Sequence, residues 1–160
     1  MKLTKINKQE QKKFRDQIEN LENALLQSND KRVVKGYNSP LFPLKHYFVE
    51  GLYIREIFIK KGYYCIGKIH KYDHAWFLLK GKLLAIVDGK KKEINAPFFS
   101  TSSAGSKKVV HALEDCVFIN IHSNPSNDKN ISNIEKNTVS DNYKEYNNFL
   151  LSNTKNILKK

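Results

Sequence analysis

The stretch Gly62 to Gly81, GYYCIGKIHKYDHAWFLLKG, decides the fold. It places two histidines, His70 and His74, four residues apart beside a short polar turn. Ahead of it, Leu52 to Lys60 (LYIREIFIK) alternates as a strand does. Behind it, Lys82 to Gly89 (KLLAIVDG) reads as a second strand closed by Asp88-Gly89. That dipeptide favours a type I′ hairpin turn because both residues tolerate positive φ. Two imidazoles at this place in an all-β pattern predict a small barrel with a polar site inside.

Working outward, further strands are expected at Lys45–Val49, Tyr63–Ile69, Ala75–Leu79, Leu83–Val87, Lys90–Ile94, Phe98–Ser102, Lys107–Ala112 and Cys116–His122. Short strands separated by frequent turns mean a sandwich or barrel. In Leu52–Lys60, one face carries Leu52, Ile54, Glu56 and Phe58, and the other Tyr53, Arg55, Ile57 and Ile59. Both faces are largely apolar, which predicts a core on one side and a second layer on the other.

The flanks read differently. Asn7 and Glu10 form a capping-box pair, followed by an apolar stripe of Phe14, Ile18, Leu21 and Leu25 at helical spacing. This helix lies across the barrel or pairs with the same helix of another subunit. The expected division is an N-terminal helix over 1–29, a loop or extended arm over 30–44, a barrel over 45–124 and a helical tail over 125–160. Gly36, Pro40 and Pro43 mark the arm. In the tail, Asp128–Lys136 is a short helix. Ser140 caps a second helix with Tyr143, Tyr146, Phe149 and Leu150 on one face, and Asn153–Lys160 frays. The class is mainly β.

Lysine plus arginine exceed aspartate plus glutamate by 28 − 16 = 12. That excess suits an anionic ligand or surface. Base readout in DNA leans on arginine, and Arg15, Arg32 and Arg55 are the arginines here, so sequence-specific DNA binding is not expected. No apolar run of about 18 residues is present, so no membrane-spanning helix is expected. The N-terminus has charge without an apolar secretion core, and Cys65 and Cys116 lack a CxxC spacing. Both observations suit reduced thiols in a cytoplasmic protein. There is no GxSxG, P-loop or GxGxxG.

Gly62, His70, His74 and Gly81, followed by the Ser103-Ala104-Gly105 turn, resemble the paired motifs of the cupin superfamily over about residues 45 to 124. The resemblance implies a jelly-roll barrel and a homo-oligomer, a dimer or larger. Counted back from Gly81, His70 takes the position of the family's second metal histidine, and Lys68 that of the first. His74 takes the place of the metal glutamate, and Lys108 that of the second-motif histidine. More narrowly, Leu52-Tyr-Ile-Arg-Glu56, Ile66-Gly-Lys-Ile-His-Lys71, Ile94-Asn-Ala-Pro97 and Ile119-Asn-Ile-His122 resemble small cupin proteins encoded by tailed bacteriophages.

The candidate site follows. His70, His74 and His122 are candidate ligands for one divalent transition metal, because neutral imidazole is a good donor to such ions. His122 shares a strand face with Phe118 and Asn120, and joins the site if that face is interior. Glu56 is the candidate base or fourth ligand. Lys68, Lys71, Lys107 and Lys108 could hold phosphate or carboxylate as point charges, and Tyr72 and Trp76 could stack on a ligand or pack in the core. The leading reading is a binding protein for a small anionic, nucleotide-like ligand, in the barrel or at a subunit interface. In a phage setting it would sequester a host immune signal. The alternatives are a metal-dependent oxygenase, isomerase or lyase, and an assembly protein working through its flanking helices.

Overall fold

A computed structural model describes residues 8–36, 39–87 and 90–157. Asn7, the Asp88-Gly89 turn and residues 158–160 lie outside the described residues. In chain order the elements are α1 (Lys8–Gln27), β1 (Val33–Lys35), β2 (Leu44–Val49), β3 (Gly51–Ile59), β4 (Tyr64–Ile66), β5 (Ile69–His70), β6 (His74–Lys80), β7 (Lys82–Val87) and β8 (Lys90–Asn95). They continue with β9 (Phe98–Ser102), β10 (Val109–Ala112), β11 (Cys116–Asn124), α2 (Ile131–Thr138), β12 (Val139–Ser140) and α3 (Tyr143–Ile157).

The fold is mainly β, a jelly-roll sandwich with a helix before it and helices after it. One five-stranded sheet runs β1-β4-β10-β7-β8 and the other β2-β3-β11-β6-β9. Alternation decides what lies between them. From the first sheet Cys65, Leu83, Ala85, Ile94 and Val110 point inward; from the second Ile57, Ile59, Trp76, Leu78 and Phe118 meet them. Phe42 of the arm closes one end of this core.

The second layer lies on a different sheet from the one expected. The Leu52 face of β3 is not covered by it; Leu52 is exposed. Helix α1 instead lies on the outer face of the first sheet, where Ile18, Leu21 and Leu25 pack on Ile66 and Val109. The stripe of α1 is therefore spent within its own chain. Arg15 fastens the helix further, its guanidinium sitting 4.7 Å from the Tyr143 ring centre and 5.7 Å from that of Tyr146.

Four local expectations change. The strand expected over Tyr63–Ile69 divides, and Gly67 separates β4 from β5. Within the arm, Val33–Lys35 forms β1, parallel to β4 with Val34 opposite Cys65. Ser140 is not a helix cap: it pairs with Ile69 in a two-strand ladder of β12 with β5. The cap of α3 is Asn142, whose Oδ1 accepts from the Glu145 amide at 2.9 Å, and the Glu145 carboxylate returns to the Asp141 amide at 3.0 Å. The helix then continues to Ile157, through residues expected to fray.

Gly81 turns β6 into β7 at φ 86°, and a Cβ there would lie 2.4 Å from the Asp115 carbonyl oxygen. Backbone is a neighbour that cannot swing away. Gly81→Ala should therefore cost about 3 kcal/mol in unfolding free energy. Urea denaturation checks this, and a loss under about 1 kcal/mol would show that the turn relaxes freely.

Candidate functional site

The site forms where β5, β6 and β11 converge at one end of the barrel. Strand β11 pairs with β3 so that Asn120 faces Arg55 and His122 faces Tyr53. On its other edge β11 pairs with β6. The inward face of β11 therefore carries Phe118, then Asn120, then His122, running from core to rim. His74 opens β6 and His70 closes β5, and the turn between them brings the two rings to 3.7 Å between centres. His122 stands 5.3 Å from each. All three are buried.

Two cations share this space. Arg55, 1% exposed, is buried on the inward face of β3. Its Nη1 donates to Glu135 Oε1 at 3.4 Å, and its positive charge lies near the Tyr53 hydroxyl. Lys108 approaches from just ahead of β10, with its Nζ 3.5 Å from His74 Nε2, bonded to Ser102 Oγ and 5.1 Å from the Trp76 ring centre. Burial is the main reason that the imidazoles stay neutral, and the nearby positive charge adds to it. His74 is pushed down to about 3 by burial and then by Lys108. The Tyr72 carbonyl, close to His74 but outside hydrogen-bonding geometry to its Nδ1, works weakly the other way. His122 is pushed down to about 3 by burial and then by Arg55. His70 lies well below the ordinary value, through burial and then His74 and Lys108.

His70 Nδ1, His74 Nδ1 and His122 Nε2 have no hydrogen-bond partner. Three such nitrogens are the right chemistry for a transition metal. Their arrangement is not. The rings are tilted only 13° to 22° from one another, so they stack, and in-plane lone pairs of stacked rings do not meet at a point. Among the described residues no group of three His, Cys, Asp or Glu side chains is set to hold a metal ion. Two adjacent cations also oppose a dication. As arranged, the residues fit an anion better than a metal.

The other sequence candidates separate. Glu56 faces away from the histidines, because β3 turns Arg55 inward. It sits on the outer face, bonded to Lys45 Nζ at 3.0 Å, and is not brought together with the three histidines. Lys107 also points outward, and pairs with Glu22 under α1. Burial would raise the Glu22 carboxyl, but Lys107 and Lys35 outweigh it and hold it below the ordinary value. Lys71 reaches the Lys136 carbonyl at 2.7 Å. Tyr72 is exposed, edge-on to Phe149. Trp76 is stacked on Phe118 in the core and meets the site through Lys108. Lys68 is at the rim, 3.8 Å from Glu135 and 3.0 Å from Asp141. His46 extends the aromatic row, bonded to the Tyr53 hydroxyl at 2.7 Å. His111 stacks on Tyr64 on the far sheet, 4.1 Å between ring centres.

Arg55, Asn120, Ser102 and Glu135 are the residues that sequence reasoning missed. For Arg55 a signal existed: it shares a face with Tyr53, Ile57 and Ile59, an unusual place for a charge without a buried task. Space is small. The cavity beneath the histidines, lined by His70, Lys108, Asn120 and core residues, holds about 30 Å³. A larger groove of about 600 Å³ lies under α1, but its walls include Asp16, Glu19, Glu22 and Asp141, the wrong sign for an anion.

No protein-family model matches the chain, and no curated protein matches it. Solved structures do, and they include cupin-superfamily proteins. A salicylate 1,2-dioxygenase from Pseudaminobacter salicylatoxidans is 9% identical over 71% of this chain and 34% of that one, with a TM-score of 0.50. A cupin superfamily protein from Desulfitobacterium hafniense is 11% identical over 51% and 77%, with a TM-score of 0.44. An HTH_3-family transcriptional regulator from Vibrio cholerae is 20% identical over 53% and 52%, with a TM-score of 0.46. The match thus spans about half of the regulator and a third of the dioxygenase. What is shared is the fold.

Three histidines that stay neutral when folded, and titrate near 6.5 when unfolded, make stability depend on pH. The folded values are depressed, so the unfolded chain binds more protons below pH 6.5. Stability is complete above that pH and falls as the pH drops from 6.5 toward 3, by about 1.4 kcal/mol per pH unit for each histidine. Urea midpoints from pH 7.5 to 4 should fall steeply, and less steeply in His70→Asn/His74→Asn/His122→Asn. A flat profile in the native protein would mean that the imidazoles are charged or solvated.

Proposed function

We propose that this protein is a cupin-type small-molecule-binding protein whose barrel holds a small anion among His70, His74, His122, Lys108, Arg55 and Asn120. One observation carries the reading: two cations and three neutral imidazoles converge on one buried end of the barrel. Neutral imidazoles offer N–H donors without adding charge, and ammonium and guanidinium groups supply the attraction. In a low dielectric, such a cluster favours a negative partner strongly. The cavity beneath His70 is small, about 30 Å³, which favours an anion of a few atoms over a nucleotide there. Sequestration of a host signal in a phage setting is retained for a nucleotide only at a subunit interface. It is supported by the sequence resemblance and by the net charge of +12.

Self-association is part of the proposal. The outer face of the β2-β3-β11-β6-β9 sheet exposes Tyr47, Val49, Leu52, Leu79 and Phe99. Such a continuous apolar face supports pairing of two copies through this sheet. Ile18, Leu21 and Leu25 of α1 pack on their own barrel, which favours the sheet over the helix as the seam.

A second reading, a metal-dependent enzyme, is favoured by the three orphaned imidazole nitrogens. They would be the ligands, and a divalent transition metal would supply Lewis-acid chemistry there. Native mass spectrometry of protein purified without a His-tag, with elemental analysis, separates the two. The anion reading expects a small negatively charged adduct, lost in Lys108→Met, with no metal. About one transition metal per chain, lost in His74→Ala, would replace it with the metal reading. A protein bare of both, and unaffected by millimolar acetate or phosphate, would sink the anion reading.

A further inference from the structure

The tail closes the barrel end that carries the histidines, and it does so with a carboxylate. Helix α2 buries Ile134 and Thr138, and β12 adds Val139 and Ser140 against β5, with Val139 opposite His70. Lys71 ties the same segment twice, its amide donating to the Thr138 carbonyl and its Nζ to the Lys136 carbonyl. The placement leaves Glu135 between Arg55 and Lys68, with Oε1 3.4 Å from the Arg55 Nη1 and Oε2 3.8 Å from the Lys68 Nζ. Arg55 is among the most deeply buried side chains of the molecule. A buried guanidinium needs an anionic partner, and here the partner comes from eighty residues away on a two-residue strand and a two-turn helix.

We propose that Glu135 is an internal substitute for the ligand's own carboxylate, so that the ligand is a small carboxylic acid anion that binds by taking over Arg55. The inference rests on the anion reading above and names its ligand class and its gate. A guanidinium presents a planar fork that matches the two oxygens of a carboxylate, which is why a carboxylate is the class chosen. One carboxylate replaces another at the same cation, and the ligand's contacts must also offset the undocking of Ile134 and Val139. The ligand enters as Glu135 leaves, and the α2–β12 segment leaves with it. Binding at the barrel end and undocking of the tail are then one event.

The test uses the full chain and acetate as the probe, at constant ionic strength with chloride as the reference. Glu135→Gln removes the internal carboxylate while keeping the shape. In chloride it should melt about 10 °C below the native protein, since it strands a buried charge. Replacing chloride by acetate should recover at least about half of that loss. The double variant Arg55→Met/Glu135→Gln should show no acetate response. Recovery no greater in acetate than in chloride, or equal recovery in the double variant, would overturn the proposal. If Glu135→Gln does not fold, the native protein decides: acetate should speed tryptic cleavage after Lys136 several-fold, and an unchanged rate would overturn it. An anionic adduct on the native protein together with an unresponsive Glu135→Gln would remove this inference alone. No uptake of any anion by either protein would remove the binding reading with it.

Discussion

A positive charge inside an apolar barrel is the constraint on which the rest depends. Arg55 stands on the inward face of β3, in line with Tyr53, Ile57 and Ile59. Leaving such a charge without a partner in a low dielectric costs several kcal/mol, comparable with the whole stability of a domain. The chain answers from several directions. Glu135 arrives from the tail to meet the Arg55 Nη1, and the Tyr53 hydroxyl lies close by. The need to bring Glu135 there gives the C-terminal helices a reason to fold back on the barrel.

Burial, and then neighbouring positive charge, keeps the histidines neutral. At 3.5 Å and an effective dielectric near 20, Lys108 would oppose a proton on His74 by about 5 kcal/mol before screening. An unsatisfied ring nitrogen costs about 1–3 kcal/mol. Burial already disfavours the charged form, and this repulsion adds to it, so the imidazoles stay neutral and tolerate orphaned nitrogens. They stack instead, and His46, Tyr53 and His122 continue the row toward the rim. The result is a pocket made electrically positive by two side chains and polar without further charge by three.

Much of this was legible. Short alternating segments between turns define the strands, and period-two alternation on β11 puts His122 on a face with Phe118 and Asn120. The turn between His70 and His74 announces that both rings reach one place. Glu56 was chosen over Arg55 because β3 is apolar on both faces, so alternation alone has two solutions. The choice is made by pairing with β11, a strand far away in sequence, and register across such a distance leaves no local trace. Lys107 and Lys108 show the same limit: they lie just ahead of β10 and reach opposite sides, and only the position of α1 says which is outside. Glu135 was invisible for a related reason. It sits on the short helix α2, and only the docking of that helix through β12, a two-residue strand with no pattern of its own, aims it at Arg55.

Cys65 and Cys116 stand on opposite sheets of the core, and neither forms a disulfide. Burial pushes the Cys65 thiol up to about 12 and raises Cys116 as well. Thiolate, the reactive form, is therefore scarce at both positions while the barrel is shut. The two thiols act as a pair of built-in clocks. Cys65 borders the small cavity under His70, and Cys116 lies at the opposite end of β11 from His122. Alkylation at Cys65 ahead of Cys116 marks an opening that begins at the polar end, and equal rates mark the sheets parting as one.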